Sequence, residues 1–177
     1  MKTQPDNAAS TAGSATEAAP RQERAQKLVR RNVYWALGLG LVPFPLIDIV
    51  ALTGVQVKMI AELSALYGVK FSEERARAAV VALTTGLGSV ALAGAIAGSL
   101  FKLVPVLGTL AGAVGVPVFG GAMTHALGRL FVMHYESGGT LLTFDADRMR
   151  DHFRKEFEQS KIVVTRIRTE AREPAAP

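Results

Sequence analysis

Two adjoining stretches decide the fold: AVVALTTGLGSVALAGAIAGSLF at positions 79–101 and LVPVLGTLAGAVGVPVFGGAMTHALG at 103–128, with Lys102 between them. Neither contains Asp, Glu, Lys or Arg. At about 1.5 Å per helical residue the first reaches about 34 Å, enough for a hydrocarbon core of about 30 Å. Its large apolar residues favour insertion by only about 3 to 5 kcal/mol, and its Gly, Ser and Thr residues erode that gain. Such a helix needs a neighbour, and the second stretch is the expected one. Pro105 suits the first turn of the second helix, whereas Pro117 in its interior predicts a kink or a split. Gly94 with Gly98, and Gly108 with Gly112, are spaced to let two helix backbones approach closely. The expectation is a Gly-rich helical hairpin with Lys102 at its tip. Arg75 and Arg77 on one flank and Arg129 on the other put both ends on the cytoplasmic side by the positive-inside bias.

Towards the amino terminus, a helical pattern over 21–42 begins with Arg21, Arg24, Lys27, Arg30 and Arg31 and turns apolar at Val33. Pro43-Phe44-Pro45 stops it, because each proline lacks an N–H and disfavours α geometry in the residue before it. Pro45 then opens a second helix that Gly68 ends, so the pair reads as one broken apolar helix. Asp48 falls in the first turn of the second part, where free backbone N–H groups and the helix dipole favour a carboxylate. A structural cap is the favoured role, ahead of pairing with Lys58 or Lys102 and of proton or ion handling. Gln56, two turns along roughly the same face, reads as a hydrogen-bonding contact between helices. Tyr34 and Trp35 beside Arg30 and Arg31 read as a membrane-interface anchor. Residues 1–20, rich in Ala, Ser, Thr and Pro, read as a disordered leader.

Towards the carboxyl terminus, Ser72 with Glu73 and Glu74 starts the first hairpin arm, and Ser137-Gly138-Gly139-Thr140 is a turn after the second. Asp145 can cap a last helix to about Arg168. In it Met149, Phe153, Phe157, Val164 and Ile167 form one stripe against dense charge, the mark of an amphipathic helix. The organisation is a leader (1–20), a membrane-associated helical domain (21–136), a cytoplasmic turn and amphipathic helix (137–170) and a tail (171–177).

The chain has 177 residues, a net charge of +5 and no cysteine, which excludes disulfides, thiolate metal sites and thiol catalysis. No phosphate-binding glycine motif is present, so nucleotide hydrolysis by this chain alone is not expected. His125 and His134 are nine positions apart, about half a turn around a helix, and cannot share a metal; His152 sits among charges. No catalytic, cofactor or metal residue is therefore assigned. The basic cluster abuts an apolar run, which fits a membrane surface better than nucleic acid.

The run Pro43-Phe44-Pro45-Leu46-Ile47-Asp48, then Leu52, Gln56-Val57-Lys58-Met59-Ile60 and Tyr67-Gly68, resembles the bacterial domain-of-unknown-function family numbered six-nine-seven. Pro105 with Gly108, and Thr124 with Leu127-Gly128, extend the likeness over about 33–135, while Leu46 departs from the small residue expected there. The family occurs in inner-membrane proteins and in chains carrying an Era-like GTPase domain. The resemblance implies a membrane-associated helical module with a GTPase as candidate partner in trans, and supplies no catalytic residues. The reading is an all-α, membrane-associated helical bundle in the bacterial inner membrane, with both termini cytoplasmic. It is a non-enzymatic anchoring or regulatory module whose partners are the lipid bilayer, a GTPase and further copies of itself. The competing readings are a pore built from the Gly-rich hairpin and a soluble helical lipid-binding protein.

Overall fold

The computed structural model describes residues 7–39, 45–98 and 105–172. These form five helices, with no strand among them: α1 (Asn7–Leu39), α2 (Pro45–Tyr67), α3 (Glu73–Gly98), α4 (Pro105–Glu136) and α5 (Ala146–Arg172). The all-α class read from the sequence holds. Pro43 and Lys102 lie outside the described residues. For Asp48, Gly94, Gly98, Gly108 and Gly112 only the helical backbone is described.

Local chemistry explains the helix ends. At the end of α2, Gly68 takes a positive φ of 67°, its N–H bonds to the Ala65 carbonyl, and the Val69 N–H bonds to the Ser64 carbonyl at 2.8 Å. The same left-handed closure ends α4 at Gly138, φ 81°, with the Gly139 N–H on the His134 carbonyl at 2.9 Å. Asp145 caps α5 by accepting from the N–H groups of Asp147 and Arg148. The Ser72 hydroxyl accepts from the Arg75 N–H at the start of α3.

Three expectations change. The segment from Asn7 to Pro20 is helical and continuous with α1, where low hydrophobicity predicts a disordered leader. That prediction weighed burial alone. Six alanines between Ala8 and Ala19 are strong helix formers, and extending an existing helix needs no new nucleus. Pro117 does not split α4, which runs unbroken through it. The helix α5 also continues past Arg168 to Arg172.

The core joins all five helices. Among its fully buried residues are Val33, Met59, Ile60, Leu63, Leu83, Leu127, Phe131 and Phe153. The centre of the packing is α4, which lies against α1, α2 and α5, whereas α3 packs on α2 and α5. So α3 and α4 are not each other's principal neighbours among the described residues. The surroundings of Gly94, Gly98, Gly108 and Gly112, where a tight hairpin would form, lie outside the described residues.

Candidate functional site

Gly128 sets the register of three helices. A Cβ placed there would lie 2.6 Å from both Val29 methyls and 3.2 Å from the Met59 sulfur, so α1 and α2 meet α4 at this level. The residues beside these three are Arg30 and Arg31, Lys58, and Arg129, a belt of cations at one height whose partners are Glu170, Glu62 and Glu156. On the side of the belt towards the α1–α2 and α3–α4 turns, charge almost disappears. Residues 32–39 have none, 45–57 have only Asp48, and 78–98 and 105–128 have only the titratable His125.

Glu62 on α2 organises the belt. It accepts from Arg31 at 2.6 Å, Lys58 at 2.7 Å and the Asn32 amide at 3.0 Å. Lys58, offered by the sequence as a partner for Asp48, is thus committed to Glu62. Arg30 donates to the Tyr34 hydroxyl at 3.3 Å and reaches Glu170 on α5 at 3.5 Å. Trp35 is 64% exposed and Tyr34 41%, so neither belongs to the core. Such exposure of large aromatics beside arginines suits a water–lipid boundary.

The polar side of the belt holds several bonded hydroxyls. Ser64 donates to the Ile60 carbonyl and shares a 2.9 Å bond with the Tyr135 hydroxyl, and burial pushes the Tyr135 phenol above its ordinary pKa. The Tyr67 hydroxyl donates to Glu136. The ring of Phe131 stacks on Phe144 at 4.6 Å, tying α4 to the loop before α5. The Gln56 amide donates to the Thr124 hydroxyl at 3.5 Å, so the expected α2 contact between helices is present, with α4 as its partner.

The amphipathic α5 lies across the bundle. Phe157 meets Phe119 at 5.3 Å, and Val164 lies where a Cβ on Gly121 would be 2.8 Å away. His125 and Ser160 form a further contact between the two helices. Ion pairs anchor α5 to α4 through Glu156 and Arg129 at 3.6 Å and to α1 through Glu170 and Arg30. Between α1, α4 and α5 runs a groove of about 700 Å³, lined by Gln22, Gln26, Gln159 and both ion pairs. Its acids and bases offset one another, so it offers no surplus charge to a ligand.

The histidines face different partners. His125 Nδ1 bonds with the Ser160 hydroxyl at 2.8 Å, and His134 Nε2 with the Thr140 carbonyl at 2.9 Å. Among the described residues no three His, Asp or Glu side chains are placed to hold a metal. Sequence reading missed Glu62, the Ser64–Tyr135 bond and the close-packed Gly121 and Gly128. Of these only Glu62 carried a signal, four residues after Lys58 on one helix face.

Among the described residues one helix window is long and apolar enough to cross a membrane, Val50–Tyr67 in α2, of which 33% is buried. Gln56, Glu62 and Ser64 bind α1 and α4 from this window, the behaviour of a core helix. The sequence had placed the spans in the hairpin instead.

Comparison with known proteins places the chain in a family. The family model Domain of unknown function (DUF697) matches residues 6–161, wider than the 33–135 marked by the motifs and including all of α1 and more than half of α5. The chain is 38% identical over 166 residues to Magnetosome membrane protein 22 of Magnetospirillum gryphiswaldense, covering 94% of this chain and 84% of that protein. No solved structure matches. With most of its length matched by the family model, this chain belongs to the DUF697 family.

Proposed function

We propose that the protein is a non-enzymatic, membrane-associated helical module of the bacterial inner membrane. Its packed, charged half stays in the cytoplasm with both termini, and its apolar Gly-rich half contacts lipid. The observation that carries this reading is the belt. Arg30, Arg31, Lys58 and Arg129 stand at one height beside exposed Tyr34 and Trp35, and charge is nearly absent beyond them. The name of the magnetosome membrane relative supports the same role. A GTPase acting in trans fits the family resemblance: with no phosphate cradle of its own, the module would anchor or regulate that enzyme.

The test is flotation with vesicles and carbonate extraction of the full chain expressed in cells. Recovery in the membrane fraction at alkaline pH supports the module, and complete release overturns it. Leakage of ions from reconstituted vesicles would replace anchoring with the pore reading. Failure of a GTPase encoded beside the gene to co-purify would remove that partner and leave the membrane role.

A further inference from the structure

The outward face of α5 carries a large aliphatic side chain that the core does not account for. Ile162 is 69% exposed, and Val163 beside it and Met133 on α4, also exposed, continue the apolar surface into the groove between α1, α4 and α5. Lipid does not explain Ile162. One turn before it stands Glu158 and one turn after it Arg166, both exposed, so this face lies in water or among headgroups. Single exposed aliphatics are ordinary on a protein surface, and what sets this one apart is the order of charge about it.

At four-residue spacing along this face lie Arg154, Glu158, Ile162, Arg166 and Glu170, all exposed. Outward from Ile162 the nearest charge is negative towards the amino end and positive towards the carboxyl end, and the next pair is reversed. The ladder is its own complement when turned end for end. A second copy laid antiparallel over Ile162 sets its Arg166 against Glu158 and its Glu170 against Arg154, and symmetry repeats both contacts. A parallel copy sets like charges together. Rows of residues four apart are also the ridges along which helices most often interdigitate, and in that packing the ridges of the two helices run side by side.

We propose that α5 pairs with α5 of a second copy, antiparallel about a two-fold axis at Ile162. Arg154 and Arg166 have no ion-pair partner among the described residues. Glu158 holds Lys161 of its own helix and Glu170 holds Arg30 of α1, yet a carboxylate takes more than one donor, as Glu62 does with Arg31, Lys58 and Asn32. Each exposed pair contributes little alone. Their order selects the antiparallel sense, and the apolar contact at Ile162 and Val163 supplies the attraction. The pairing does not depend on membrane association but is compatible with it. Helix α5 runs from α3 across α4 to Arg30 of α1, oblique to the bundle. Helices packed along these ridges also cross at an angle, so the two-fold axis can stand along the membrane normal.

The chain has no cysteine, so introduced ones report without background. Full-length Ile162→Cys is oxidised with copper phenanthroline in the cell fraction that holds the protein, with Thr169→Cys, exposed on the same helix, as the control. Ile162→Cys is expected to form a disulfide dimer several-fold faster than Thr169→Cys. Glu158→Cys and Arg166→Cys each give little dimer alone, and co-expressed with tags of different length they give a mixed disulfide. Glu158→Arg lowers the crosslinking of Ile162→Cys several-fold, and adding Arg166→Glu to that chain restores it. Equal rates at 162 and 169 mark random collision, and strong self-crosslinking of Glu158→Cys marks a parallel pair; either result overturns the proposal. Absence of a dimer, or a crosslink only to a protein of another size, also overturns it, while recovery of the chain in membranes leaves the membrane reading standing.

Discussion

The two halves of α4 on either side of Pro117 obey different rules although they are one helix of similar composition. From Pro117 to Glu136 the helix faces α1, α2 and α5, its Thr124 and Tyr135 hydroxyls are bonded, and its glycines admit neighbouring side chains. From Pro105 to Val116 it carries no ionisable group. The contrast teaches that apolarity alone does not assign a helix to lipid, because the nearly charge-free stretch from Pro117 to Gly128 is claimed by packing within the bundle.

The sharpest way to break this contrast is to damage the packed half and ask whether the other half notices. Phe131→Ala removes a fully buried ring and its stack on Phe144, and should cost about 3 to 5 kcal/mol in a detergent melt. Vesicle binding of the protein that remains folded should be unchanged. A parallel loss of binding would mean the halves are not separable.

Gly128→Val tests the register of α1, α2 and α4. The new side chain meets the stiff, β-branched Val29, and overpacking should cost about 1 to 3 kcal/mol. Val29→Ala in the same chain should restore most of the melting temperature. Absence of rescue would place the cost elsewhere than at the α1–α4 contact.

Asp48 probes the apolar half, in the first turn of α2. Asp48→Leu should lower stability by about 0.5 to 2 kcal/mol as a lost cap does, while Asp48→Asn, which keeps an acceptor, should be mild. Loss of function in Asp48→Asn with normal melting and membrane recovery would show that the charge itself is required.

The smallest effect is expected at the belt. Lys58→Ala removes one of three donors to Glu62, and Arg31 and Asn32 remain, so the melt should move by less than about 0.5 kcal/mol. Binding to anionic vesicles should weaken and become less sensitive to salt. Unchanged binding would remove Lys58 from the lipid-facing belt.

Much of the helix layout was legible because its determinants are local. Pro45, Gly68, Ser72, Pro105, Gly138 and Asp145 act within one turn through a missing N–H, a positive φ or a capping oxygen. The stripe on α5 from Phe153 to Ile167 was legible for the same reason, since helical period follows from spacing alone. The leader was misread because burial was weighed and the propensity of its alanines was not.

By itself, then, the sequence determined an all-α chain, most of its helix boundaries, and the separation of charge from apolar length. Only the tertiary structure decided that α4, not the α3–α4 pair, is the centre of packing among the described residues, that Gly121 and Gly128 are close contacts, and that α5 packs on α4. Those outcomes depend on which distant side chain fills the space a glycine leaves, as Val29 and Val164 do here, and nothing within a few residues of Gly121 or Gly128 specifies that neighbour.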